Sequence, residues 1–71
     1  MRGTIKNIET EMGSGLATIN FEDGTSIFIE SGHGLRTMHS VFERFGIINP
    51  VGVEIDYEED RGLMASFNLP E

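Results

Sequence analysis

A small, mostly β fold with a single helix is what this sequence predicts, and three observations lead to it. Short segments of alternating apolar and polar residues are punctuated by glycine-containing turn signals. One central stretch abandons that alternation for apolar spacings of three and four. With 71 residues there is room for one core, so residues 1–71 read as one domain.

The first strand is expected over residues 3–9, where Thr4, Ile5 and Ile8 favour extended backbone. Ile5 and Ile8 have opposite parity, so both reach one core only if a bulge or sharp bend lies between them. Residues 12–15, Met-Gly-Ser-Gly, form a flexible turn. A second strand runs from Leu16 to Phe21 with Ala17, Ile19 and Phe21 on one face. Asp23-Gly24 between two alternating segments is a strong hairpin signal. The third strand, Ser26 to Glu30, turns Ile27 and Ile29 inward and Phe28 outward.

Ser31-Gly32-His33-Gly34 ends the β pattern. Leu35, Met38, Phe42 and Phe45 then mark one helix, near residues 35–45, lying on the sheet, with Gly46 as its terminating glycine. Val51, Val53, Ile55 and Tyr57 alternate with Gly52, Glu54 and Asp56 as a fourth strand. Residues 58–62 read as a polar turn. Leu63, Ala65, Phe67 and Leu69 form the inward side of a fifth strand, closed by Pro70. The order β-β-β-α-β-β is that of the OB-fold, a five-stranded, partly open Greek-key barrel. An SH3-like barrel ranks second because it usually lacks a three-turn helix after its third strand. An open sheet with the helix on one face ranks third.

Composition narrows the function classes. Five basic and twelve acidic residues give a net charge of −7, and Arg2, Lys6, Arg36, Arg44 and Arg61 are dispersed along the chain. A domain that neutralises a polyanion normally gathers Lys and Arg into a patch, so this balance favours basic or neutral partners. There is no Cys, hence no disulfide and no thiolate metal site. No apolar run is long enough to span a bilayer, and the start Met1-Arg2-Gly3 has no apolar signal core. The expected setting is the cytoplasm, without a membrane partner.

Residues 1–30 resemble a cold-shock domain. Met1-Arg2-Gly3-Thr4-Ile5-Lys6 is similar to that family's opening M-x-G-T-V-K, Gly15-Leu16-Ala17-Thr18-Ile19 to its G-F-G-F-I, and Ser26-Ile27-Phe28-Ile29-Glu30 to its D-V-F-V-H. A looser likeness runs to bacterial translation initiation factor one through Gly3-Thr4-Ile5, Ile19-Asn20-Phe21-Glu22-Asp23-Gly24 and Ile29-Glu30-Ser31-Gly32. The cold-shock resemblance implies a small OB-type barrel that binds single-stranded RNA or DNA by stacking bases on aromatics of strands two and three. The matching positions here are Leu16, Thr18, Phe28 and Glu30, and of these Phe28 alone keeps an aromatic ring. At Glu30 a carboxylate stands where the family has an imidazole.

Phe28 is therefore the leading contact candidate, with Lys6, Arg2, Leu16, Thr18 and Arg36 as the expected surroundings of a nucleic-acid or partner site. The alternative for Phe28 is cover by the helix or a loop. Glu54, Asp56, Glu58, Glu59 and Asp60 read as a solvated hairpin that discourages edge pairing, or as an acidic docking face for a protein. They lack the ligand pattern of a calcium loop. His33 and His39, six apart, miss the i, i+4 metal spacing, and no metal or cofactor is expected. The glycine runs read as turns, since no phosphate-loop motif accompanies them. His39 and Ser40 sit about 100° apart on a helix, and no triad is legible, so an enzyme is not expected. Phe42 and Phe45 either complete the core or form the face of a homodimer.

Three functions remain: a non-enzymatic OB-type module with weak affinity for single-stranded nucleic acid, an acidic protein-interaction or regulatory module that has lost it, and an obligate oligomer or accessory subunit, which the small core suggests. Basic residues gathered about Phe28 favour the first, and acidic residues there favour the second.

Overall fold

The computed structural model describes residues 1–11, 13 and 15–70. It is mostly β, with one helix between the third and fourth of five strands. β1 spans Arg2–Thr10, β2 Leu16–Phe21, β3 Ser26–Glu30, α1 His33–Arg44, β4 Glu54–Asp60 and β5 Leu63–Asn68. The strands close into a ring in the order β1-β2-β3-β5-β4. All neighbours are antiparallel except β3 and β5, which meet in parallel at Phe28 and Leu63. The turn expected at residues 12–15 lies partly outside the described residues, which omit Met12 and Ser14. Among the described residues no helix is long and apolar enough to cross a membrane.

The parity conflict in β1 is resolved by a bulge. Ile5 pairs with Phe21 and Asn7 with Asn20, so Lys6 is the extra residue. Before the bulge, Arg2–Thr4 pairs with β4; after it, the strand runs along β2. Ile5 and Ile8 thereby both serve the core. The β2–β3 hairpin closes through Gly24 N–H to Phe21 O at 3.1 Å and Phe21 N–H to Thr25 O at 2.8 Å. Gly24 takes the left-handed position, φ +92°, of a three-residue loop. Asp23 Oδ1 accepts from Thr25 N–H at 2.9 Å and from Thr25 Oγ1 at 2.6 Å. These bonds to its charged form, the hydroxyl's first, hold the Asp23 carboxyl below its ordinary value.

Alternation delivers Ala17, Ile19 and Phe21 from β2, and Ile27 and Ile29 from β3, into one buried core with Ile5, Ile55 and Tyr57. Phe21 and Tyr57 stack with ring centroids 5.1 Å apart. Met38 and Phe42 complete the core from α1, and Phe42 meets Phe67 at 6.1 Å. The helix begins two residues before the expected start. The Glu30 carboxylate accepts the His33 N–H at 2.8 Å, satisfying a first-turn donor, and its negative charge suits the helix N-terminus.

Three expectations are corrected. Phe45 is 65% exposed instead of core. The helix ends before it, because Gly46 turns left-handed (φ +75°), donating to Glu43 O, while Ile47 donates to Phe42 O. That pair of bonds is a Schellman termination, and Ile47 packs on the core in Phe45's stead. Phe42 is buried and so belongs to no dimer face. Next, β4 starts at Glu54 instead of residue 51. Val53 N–H donates to Pro50 O across a turn that needs Gly52 at φ +88°, and Val51 is left exposed. Residues 58–60 consequently continue β4, and the turn shrinks to Arg61-Gly62, both left-handed (φ 57° and 81°), as in a type I′ hairpin. Finally, β5 does not alternate throughout. Glu58 pairs with Ser66 but Glu59 with Met64, so Ala65 is an extra residue. Met64 and Phe67 face the core, whereas Leu63 and Ala65 are exposed.

Candidate ligand-binding face

The same alternation that fills the core sends every second side chain of β2 and β3 outward. Leu16 pairs with Glu30, Thr18 with Phe28 and Asn20 with Ser26. β1 extends these rows, Asn7 facing Asn20 and Glu9 facing Thr18, and β5 adds Leu63 opposite Phe28. One row thus reads Glu9, Thr18, Phe28, Leu63 across four strands. Phe28 is 48% exposed and Leu63 42%. The Phe28 ring is thus about half in solvent. With Leu16 on the next row, this is a set of large apolar side chains on an otherwise polar sheet surface.

The row beside it is polar and internally tied. Asn20 Nδ2 donates to Asn7 Oδ1 at 2.7 Å, and Ser26 Oγ donates to Asn20 Oδ1 at 2.6 Å. Lys6, exposed at the β1 bulge, lines a shallow cleft with Asn7, Asn20 and Ser26. Across the rows beyond Phe28, Glu30 caps α1, as described above.

The expected cations do not gather round Phe28. Lys6 borders the face. Arg2 sits opposite Asp56 in the β1–β4 ladder and shares a cleft with Glu22, Asp23 and Glu54. Arg36 is on α1, its backbone N–H bonded to Gly32 O. A cation the sequence reading did not single out arrives instead. Phe28 N–H donates to Gly62 O at 3.1 Å, so the Arg61-Gly62 turn abuts the Phe28 row. The Arg61 side chain is almost fully exposed, its Nε 3.8 Å from Asp60 Oδ1. Leu63 was also missed, since the sequence pattern assigns it to the core. The left-handed demand of an X-Gly pair in a two-residue hairpin was the available signal for Arg61; no sequence signal marks the Ala65 bulge that exposes Leu63.

The acidic residues Glu54, Asp56, Glu58, Glu59 and Asp60 all lie on β4. Asp56 Oδ1 is 3.3 Å from the N-terminal ammonium of Met1, and the other four are exposed. They border Tyr57, whose phenol is pushed up first by burial and then by the negative charges of Asp23 and Glu59. Among the described residues, no group of three or more His, Asp or Glu side chains is arranged to hold a metal ion. Comparison with protein-family models, with curated proteins and with solved structures finds no significant match.

Proposed function

We propose that the chain is a small, non-enzymatic binding module of the OB type, whose ligand face is the outer surface of β2 and β3 centred on Phe28. The ring order supports this reading: β1 serves two neighbours through its bulge, β3 meets β5 in parallel, and the helix lies between β3 and β4. In a Greek-key barrel of this kind the face of strands two and three takes oligonucleotides. The ligand proposed is single-stranded RNA or DNA, bound weakly. A base stacks on Phe28 beside Leu63, the Asn7-Asn20-Ser26 row offers hydrogen-bonding edges, and Lys6 and Arg61 meet phosphates. One aromatic platform is worth about 1–3 kcal/mol, so binding is weak and leans on phosphate contacts that are strongest at low salt.

A second reading has an observation of its own. Glu9 ends the Phe28 row and Glu30 lies on the row beside it, in a chain of net −7. That rim favours a protein partner with an apolar plug and basic surroundings, and makes the module an acidic interaction or regulatory domain. Fluorescence anisotropy with labelled oligo-dT and a mixed-sequence RNA separates the two. Binding that falls with salt and is lost in Phe28→Ala is the expected result. No binding at about 100 μM protein in low salt, where phosphate contacts are strongest, would sink the nucleic-acid reading and leave the protein partner. Phe28→Ala is expected to cost about 1 kcal/mol of stability, since about half of the ring is buried, and to remain folded.

A further inference from the structure

Away from the Phe28 face, the chain carries a second apolar surface that shares no residue with it. Ile48 is fully exposed, Phe45 65% and Val51 53%. All three lie in residues 45–53, nine consecutive residues without a charge. The end of a second uncharged stretch, Leu69 and Pro70, comes to the same place. The two line one cleft of about 460 Å³ through Phe45, Ile47, Val53, Leu69 and Pro70, with Glu54 at its edge.

We propose that the protein pairs with a second copy of itself through this end of the molecule. Two features suit the patch to a second copy. The first is charge. Two chains of net −7 repel wherever acidic surface meets acidic surface, whereas this patch lets two copies approach through uncharged residues. The second is shape. A two-fold interface needs knob and hole on one patch, and here the exposed Ile48 and Val51 belong to the same short segment as Phe45, Ile47 and Val53, which line the cleft with Leu69 and Pro70. The three exposed side chains offer on the order of 400 Å² per copy, and with the cleft two copies bury about 1,000 Å², the lower bound of a specific interface.

The test is sedimentation of the full chain from about 5 to about 500 μM, at low and moderate salt. The mass is expected to rise from 7.9 kDa toward twice that value, and the association to strengthen with salt as the −7 repulsion is screened. Ile48→Asp is expected to weaken pairing about 100-fold by forcing a carboxylate into an apolar contact. Phe45→Ser provides an independent second variant. Both positions are exposed in a single copy, so circular dichroism of each variant should match the parent. Phe28→Ala should pair normally, which separates this interface from the ligand face. A monomer at every concentration, a dimer unaffected by Ile48→Asp, or a dimer abolished by Phe28→Ala would each overturn the proposal.

Discussion

Gly3 shows how one residue without a side chain lets the ring close. A Cβ built there would lie 2.6 Å from Phe21 Cδ1. Phe21 cannot give way, because it is buried and stacked on Tyr57. Gly3→Ala is therefore expected to lower the unfolding free energy by about 1–3 kcal/mol, the usual cost of overpacking a well-filled core. Urea denaturation checks it, and an unchanged midpoint would show that the Phe21–Tyr57 stack shifts freely. Lys6 illustrates the opposite use of a single position. As the bulged residue of β1 it pairs with nothing across the ladder, stays exposed, and flips the parity that lets Ile5 and Ile8 share one core.

At the scale of elements, turn chemistry decides where each strand stops. The β4–β5 hairpin uses Arg61-Gly62, with Arg61 at φ 57°. A side chain at a left-handed position costs roughly 1–2 kcal/mol, and Asn tolerates it best apart from Gly. Arg61→Asn is accordingly expected to stabilise the protein by about 0.5–1 kcal/mol, seen as a higher thermal midpoint. If Arg61 also meets phosphate, the same variant weakens oligonucleotide binding while the fold gains, so stability and affinity move in opposite directions. The helix follows the same logic. Glu30 starts it and Gly46 ends it. Glu30 is thus tied to α1, a local role for its carboxylate.

The whole molecule carries its charge unevenly. Five acids crowd β4, while residues 45–53 and 62–70 have none. The acidic side also acts on Tyr57, the chain's one tyrosine. Burial first, then Asp23 and Glu59, raise its pKa above 10.0. The folded state therefore prefers the neutral phenol. The stability this contributes is intact below about pH 10, the unfolded value, and is lost as pH rises from there through the higher folded value. The phenolate absorbance should titrate later in native than in urea-unfolded protein. In Tyr57→Phe the part of the alkaline stability loss due to this group should vanish. Coincident native and unfolded titrations would refute the shift.

By itself the sequence determined the strands whose alternation is uninterrupted and whose turns are marked by glycine. β2 and β3 fall where alternation puts them, with Ala17, Ile19, Phe21, Ile27 and Ile29 inside and Phe28 outside. The β1 bulge was legible too, because two isoleucines of opposite parity cannot otherwise share a core. Alternation misled at Val51, where Gly52 is needed for a turn, and at Leu63, where one extra residue in β5 reverses the faces. Such a bulge leaves no local trace, since it is selected by register against β4. Phe45 failed for a related reason: the three-four spacing continues past the point where Gly46 ends the helix. Phe28 could be read from its neighbours. Its companions, Leu63 and the Arg61-Gly62 turn, come from more than thirty residues away. Tertiary structure alone decided them, because a parallel β3–β5 contact is made by closing the ring and not by any local preference of the chain.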